Sequence, residues 1–196
     1  MALTKDNITI TALRLFLLNG YKNVSLVDVA KAAGITKGGI YHYFDSKESL
    51  LQAAIHYLFE RFEAKYVELF GSSRSLQATL NTIIVDREFE IFLERLLDIE
   101  PGCYRDNHAS LALEVIHSFP GFQERLDRNH LKLLREIEQK VKSAQDNGEI
   151  RTDIETQTLA ILILSVMSGQ NTLSFSLNDS NVRSKVMDSL WLLIKA

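Results

Sequence analysis

The chain is short of everything that would tie it together covalently or break it into short pieces. One cysteine, Cys103, stands among 196 residues, so neither an internal disulfide framework nor a cysteine-cluster metal site is available. A reducing cytoplasm is therefore the expected compartment. Two prolines, Pro101 and Pro120, and nine glycines leave long stretches in which nothing interrupts a helix. No apolar run approaches the roughly 20 residues that span a bilayer; the longest, Leu159 to Val166, contains Ser165. The amino terminus carries Lys5 and Asp6 where a secretory signal would place an apolar core, so no leader and no membrane partner are expected. There is no internal repeat and no low-complexity linker.

What remains is 46% hydrophobic residues at a net charge of −3, with Leu, Ile, Ala, Glu and Lys recurring at helical spacing. The pattern predicts an all-α protein. Ile8, Ala12, Leu15 and Phe16 place an apolar stripe on a helix from Thr4 to Asn19, stopped at Gly20. Ser25, with Asp28 three residues on, caps a second helix that ends at Gly34. Thr36 caps a short third one, Lys37 to Tyr43, with Ile40 and Phe44 turned inward. Two short helices joined by a tight glycine turn and packed on a longer one form a helix-turn-helix unit. Longer helices follow: Ser46 to Phe70, Leu76 to Leu97, Asn107 to His117, Gly121 to Asn147, Asp153 to Leu173 and Asn181 to Ile194.

Charge divides the chain as well. The first 50 residues carry six Lys and Arg against four Asp and Glu, a net of +2, and the remainder holds −5. That sign suits an end that meets phosphate. A helix of two turns fits the major groove of B-DNA, which is about 12 Å wide. Gly38 and Gly39 leave its backbone bare for close approach, Lys37 reaches a phosphate or a guanine edge, and Lys47 stands at the start of the next helix.

The run Ile8-x3-Ala12-x2-Leu15-Phe16-x3-Gly20-Tyr21-x3-Ser25-x3-Val29-Ala30-x3-Gly34-Ile35-Thr36-Lys37-Gly38-Gly39-Ile40-Tyr41-His42-Tyr43-Phe44-x2-Lys47-Glu48-x-Leu50-Leu51 resembles the DNA-binding domain of the TetR/AcrR family of transcriptional regulators. The resemblance implies DNA contacts at Ser25, Thr36, Lys37, Gly38, Tyr41, His42, Tyr43 and Lys47. It implies a division into a helix-turn-helix domain, residues 1–46, and a larger helical ligand-binding and dimerisation domain, residues 47–196. The partners it implies are a double-stranded, pseudo-palindromic operator, a small hydrophobic or aromatic effector, and a second copy of the chain. Two positions depart from the family pattern: Gly39 replaces a common threonine, and Val27 replaces a polar or basic residue, leaving at most a contact to a thymine methyl.

The body offers no catalyst. His42, His56, His108, His117 and His130 form no ligand motif, and no phosphate-binding loop or dinucleotide fingerprint is present, so neither an enzyme nor a cofactor is expected. Glu114 and His117 lie three apart, with His108 on the same predicted helix; surface or pocket polarity is the expectation there over a metal site. Phe62, Tyr66, Phe89, Phe92, Tyr104, Leu111, Met167 and Phe175 supply aromatic and flexible surface suited to a cavity, with Cys103 and His108 as polar candidates beside them. Cys103, near a helix start and close to Arg105, is either a packing residue or a thiol sensor. Leu159, Ile161, Leu162, Ile163, Leu164, Val166 and Met167 occupy more than one helix face, and Leu190, Trp191, Leu193 and Ile194 add a second apolar surface. They complete the subunit core or meet their symmetry mates, and the resemblance favours a homodimer through the last two helices. The expected function is a ligand-responsive repressor. The alternatives are a helical small-molecule carrier and a thiol-based electrophile or redox sensor acting through Cys103.

Overall fold

The computed structural model describes residues 5–119, 121–173 and 180–196. Thr4 and Phe175, and the side chains of Arg105 and His117, lie outside what it describes. Among the described residues ten α-helices follow in order: α1 Lys5–Asn19, α2 Leu26–Ala32, α3 Lys37–Tyr41, α4 Lys47–Phe70, α5 Leu76–Ile84, α6 Glu88–Leu97, α7 Cys103–Ser118, α8 Phe122–Asp146, α9 Thr156–Leu173 and α10 Ser180–Ile194. None of them, over the described residues, is long and apolar enough to cross a membrane.

Local chemistry sets the ends of α2. The Ser25 hydroxyl accepts from the Asp28 N–H at 3.2 Å, and the Asp28 carboxylate accepts from the Ser25 N–H at 2.8 Å, a reciprocal capping box. At the other end Gly34 takes φ +71°, and the Ile35 N–H donates to the Ala30 carbonyl at 2.9 Å, closing the helix in the left-handed turn that glycine adopts without steric cost. Thr36 caps α3 by accepting from the Gly39 N–H at 3.0 Å. That helix ends two residues earlier than its spacing suggests, with His42 as its C-cap.

The long helix expected from Leu76 to Leu97 is two helices. The break falls between Ile84 and Glu88, where Arg87 is held at φ +59°. Apolar residues recur at helical spacing on both sides, so periodicity carried no sign of it. A left-handed non-glycine residue costs on the order of 1 kcal/mol or more, which surrounding packing must offset.

The helices form two compact units. The first comprises residues up to Phe62 together with Glu90–Leu126, and the second comprises Glu63–Phe89 with Asp127–Ala196. Each has its own core. Phe16, Ile8, Ile40, Leu50, Leu51 and Val115 are fully or almost fully buried in the first. Leu76, Leu80, Ile137, Leu159 and Ile163 are equally buried in the second. Residues of the helix-turn-helix from Ile8 to Phe44 therefore share a core with α4 as far as Phe59, with Leu97 of α6, with α7 and with the start of α8.

Two expectations follow. Ile137→Ala, at a site with no solvent exposure, should lower stability by about 2–5 kcal/mol in urea denaturation. The Ser25 hydroxyl and N–H hold the Asp28 carboxyl below its ordinary pKa. Its contribution to stability is then complete above about pH 3.9 and fades as pH falls through the lower folded value. Thermal midpoints measured from pH 6 downward should fall more steeply for the native chain than for Asp28→Asn, and parallel curves would contradict the pairing.

Candidate nucleic-acid interface and ligand cavity

On α3 one side is sealed and the other is open. Ile40 is fully buried and Phe44 nearly so, packed with Phe16 and Val29 in the first core. Thr36, Lys37, Gly38, Tyr41, His42 and Tyr43 are exposed, and the Tyr41 side is open enough to leave that residue 46% accessible. A Cβ added to Gly38 would meet nothing within 4 Å, whereas one on Gly39 would lie 3.2 Å from the Thr36 hydroxyl. The open face of the short helix thus joins one cation, two phenols, an imidazole and bare backbone. Val27 on α2 is exposed as well. His42 and Tyr43 pack edge to face, with ring centres 5.2 Å apart.

Two of the residues singled out from the sequence are engaged inside the unit. The Ser25 hydroxyl donates to Asp28 at 2.6 Å while capping α2. The Lys47 ammonium sits 4.2 Å from the centre of the Tyr21 ring and donates to the Lys22 carbonyl at 3.4 Å. Tyr21 in turn packs edge-on against Phe16. Burial, and then the Glu48 carboxylate, push the Tyr21 phenol above its ordinary pKa.

Also in the first unit is an apolar cavity of about 170 Å³, walled by Leu13 and Leu17 of α1, Ile55, Leu58, Phe59 and Phe62 of α4, Leu97 of α6, six residues of α7, and Phe122 and Leu126 of α8. An apolar void of about 150 Å³ holds a benzene ring. Tyr104 and His108, one turn apart on α7, are its polar members, and their rings stack 5.2 Å apart. His108 Nδ1 lies 3.2 Å from the Tyr104 carbonyl, which only accepts, so that nitrogen carries the hydrogen.

Of the cavity candidates read from the sequence, Phe62, Tyr104, His108 and Leu111 are brought together here. Phe92 and Cys103 belong to the same unit and are not among the lining residues. Tyr66, Phe89 and Met167 belong to the second unit, where Tyr66 stacks on Phe89 at 4.6 Å and Met167 is buried in the core. Tyr66 there borders a polar groove with Glu63, Lys132 and Arg135. Leu13 and Leu17 were missed. The available signal was that α1 is apolar on more than one side, since Leu13 and Leu17 lie four apart and outside the Ile8–Ala12–Phe16 stripe.

Glu114 was set beside His117 as a conceivable metal ligand. Its carboxylate instead accepts from the Tyr21 N–H at 2.6 Å and the Lys22 N–H at 3.4 Å. Among the described residues no group of three or more His, Cys, Asp or Glu is placed to hold a metal ion.

Residues 8–54 match the family model described as bacterial regulatory proteins, tetR family, and residues 94–190 match the tetracyclin repressor-like C-terminal domain. The HTH-type transcriptional regulator UidR of Escherichia coli K12 is 28% identical over 166 residues, covering 85% of this chain and 79% of UidR. The HTH-type transcriptional repressor KstR2 of Rhodococcus jostii is 36% identical over 73 residues, 37% of this chain and 36% of its own. The crystal structure of reduced Escherichia coli NemR shares the fold, with a TM-score of 0.73 at 16% identity over 98% of this chain and 97% of that one. With the amino-terminal and carboxy-terminal patterns present in one chain and in that order, the protein belongs to the TetR family of bacterial DNA-binding transcriptional regulators.

Proposed function

We propose that the chain is a cytoplasmic, homodimeric repressor that binds a pseudo-palindromic operator and is released by a small hydrophobic or aromatic effector held in the first unit's cavity. The observation that carries this reading is the two-sidedness of α3: a buried Ile40–Phe44 anchor beneath an exposed Lys37, Tyr41, His42 and Tyr43. A groove-reading helix needs both, an anchor to fix its pose and solvent-facing side chains to meet phosphate and base edges. Thr36 and Gly38 complete the contact face. Ser25 and Lys47 support it by fixing α2 and the start of α4. The names of the relatives, a regulator and a repressor, agree with repression.

The effector reading rests on the cavity's walls, which carry no Lys, Arg, Asp or Glu. A charged ligand would lose its hydration there without compensation. Dimerisation is supported by the second unit. Leu159, Ile163, Leu190 and Ile194 are buried, while Ile161 and Leu162 of α9 and Leu192 and Leu193 of α10 are exposed, an apolar face suited to a symmetric partner. Such a pair would hold its recognition helices about 34–36 Å apart, one turn of duplex.

The test is a duplex selected from a random pool and titrated over a salt series. Native protein should show a clear sequence preference and a steep loss of affinity with salt. Lys37→Ala should weaken binding across all sequences and reduce the log–log salt slope by about 1, the share of one phosphate contact. Tyr41→Phe should weaken binding with unchanged circular dichroism. Native affinity in both variants at matched salt would remove α3 from the interface, and binding without sequence preference would remove the regulator reading.

A further inference from the structure

The cavity and the helix-turn-helix are joined by a specific grip. Helix α7 contributes Leu111, Ala112 and Val115 to the cavity wall, and Leu13 and Leu17 of α1 face the same space. Glu114 stands at the edge of that α7 face, three residues beyond Leu111. Its carboxylate reaches the turn that follows α1, accepting from the backbone N–H groups of Tyr21 and Lys22. The approach is close, since a Cβ on Gly20 would lie 3.3 Å from Glu114 Oε1, and Gly20 also holds φ +80°. The same short turn is gripped from α4, where Lys47 donates to the Lys22 carbonyl and covers the Tyr21 ring.

We infer that Glu114 is the positioning residue through which occupancy of the cavity is transmitted to the DNA-binding helices. The inference rests on the cavity being the effector site and names how that site regulates. An occupant that presses α7 away from α1 carries Glu114 with it. Two charge-assisted hydrogen bonds then either break or drag the Tyr21–Lys22 turn. That turn leads into α2 on one side and is tied to the start of α4, just after α3, on the other. Packed elements shift as units between discrete arrangements, so a small displacement of α7 becomes a reorientation of the recognition helix. Without the carboxylate α7 still moves, and the turn stays where α4 holds it.

The experiment uses the full-length chain and a built-in occupant. Ala112→Phe fills the cavity from α7 itself, and operator affinity is compared with and without that substitution in three backgrounds: native Glu114, Glu114→Ala and Glu114→Gln. Ala112→Met, more adaptable in shape, replaces it should circular dichroism show that the phenylalanine variant does not fold. Cavity filling should cost at least tenfold in affinity with Glu114 present and less than threefold in Glu114→Ala. Glu114→Gln, which keeps an oxygen acceptor, should restore part of the loss. A purely structural role for Glu114 would change absolute affinity or stability and leave this ratio intact. An equal loss in all three backgrounds overturns the coupling role and leaves the cavity as the control site. No loss with native Glu114 overturns control by the cavity and the coupling role together.

Discussion

The first hydrophobic core is the constraint on which this protein depends. A segment of some 45 residues is at the edge of what folds alone, because so short a chain buries too small a share of its surface. Here the difficulty is resolved by sharing: Phe16, Ile40 and Phe44 of the helix-turn-helix sit in one apolar cluster with Leu50, Leu51 and Ala54 of α4 and with Leu111 and Val115 of α7. The pose of α3 is fixed by that cluster through Ile40 and Phe44.

Sharing a core has a functional consequence. A helix-turn-helix with its own sealed core would be insensitive to events elsewhere. One whose α1 packs in the same cluster as α7, and whose following turn is held by Glu114, has a route by which a movement of α7 can reach it. The cavity lies against both helices, so an occupant larger than its space of about 170 Å³ must displace one of them. Charge does the complementary work: Glu114 and Lys47 hold a two-residue turn through backbone groups, and Lys47 also covers the Tyr21 ring, which anchors the turn in the first core.

Much of the local structure was legible in the sequence. Ser25 with Asp28, Gly34 and Thr36 each carry a short-range signal whose geometry is set within five residues, and each forms the cap its spacing implies. The inward Ile40 and Phe44 followed from helical spacing. The break at Arg87 was not legible, because the left-handed residue is an arginine and the apolar rhythm runs on past it. Nor was the cavity: Phe62 and Tyr66 lie four apart on α4 and read alike, yet Phe62 borders the cavity and Tyr66 stacks on Phe89 in the second unit.

By itself the sequence determined the helical class, the caps and turns of the reading unit, and the family to which the chain belongs. These depend on neighbours within a turn or two, whose distances the covalent chain imposes. Only the tertiary structure decided that the helix-turn-helix residues from Ile8 to Phe44 share a core with α7, that the cavity borders α1, and that a carboxylate 93 positions away holds the turn at Tyr21. Contacts across such separations are chosen by how whole helices pack, and helical spacing tells which residues face inward without telling what they will face.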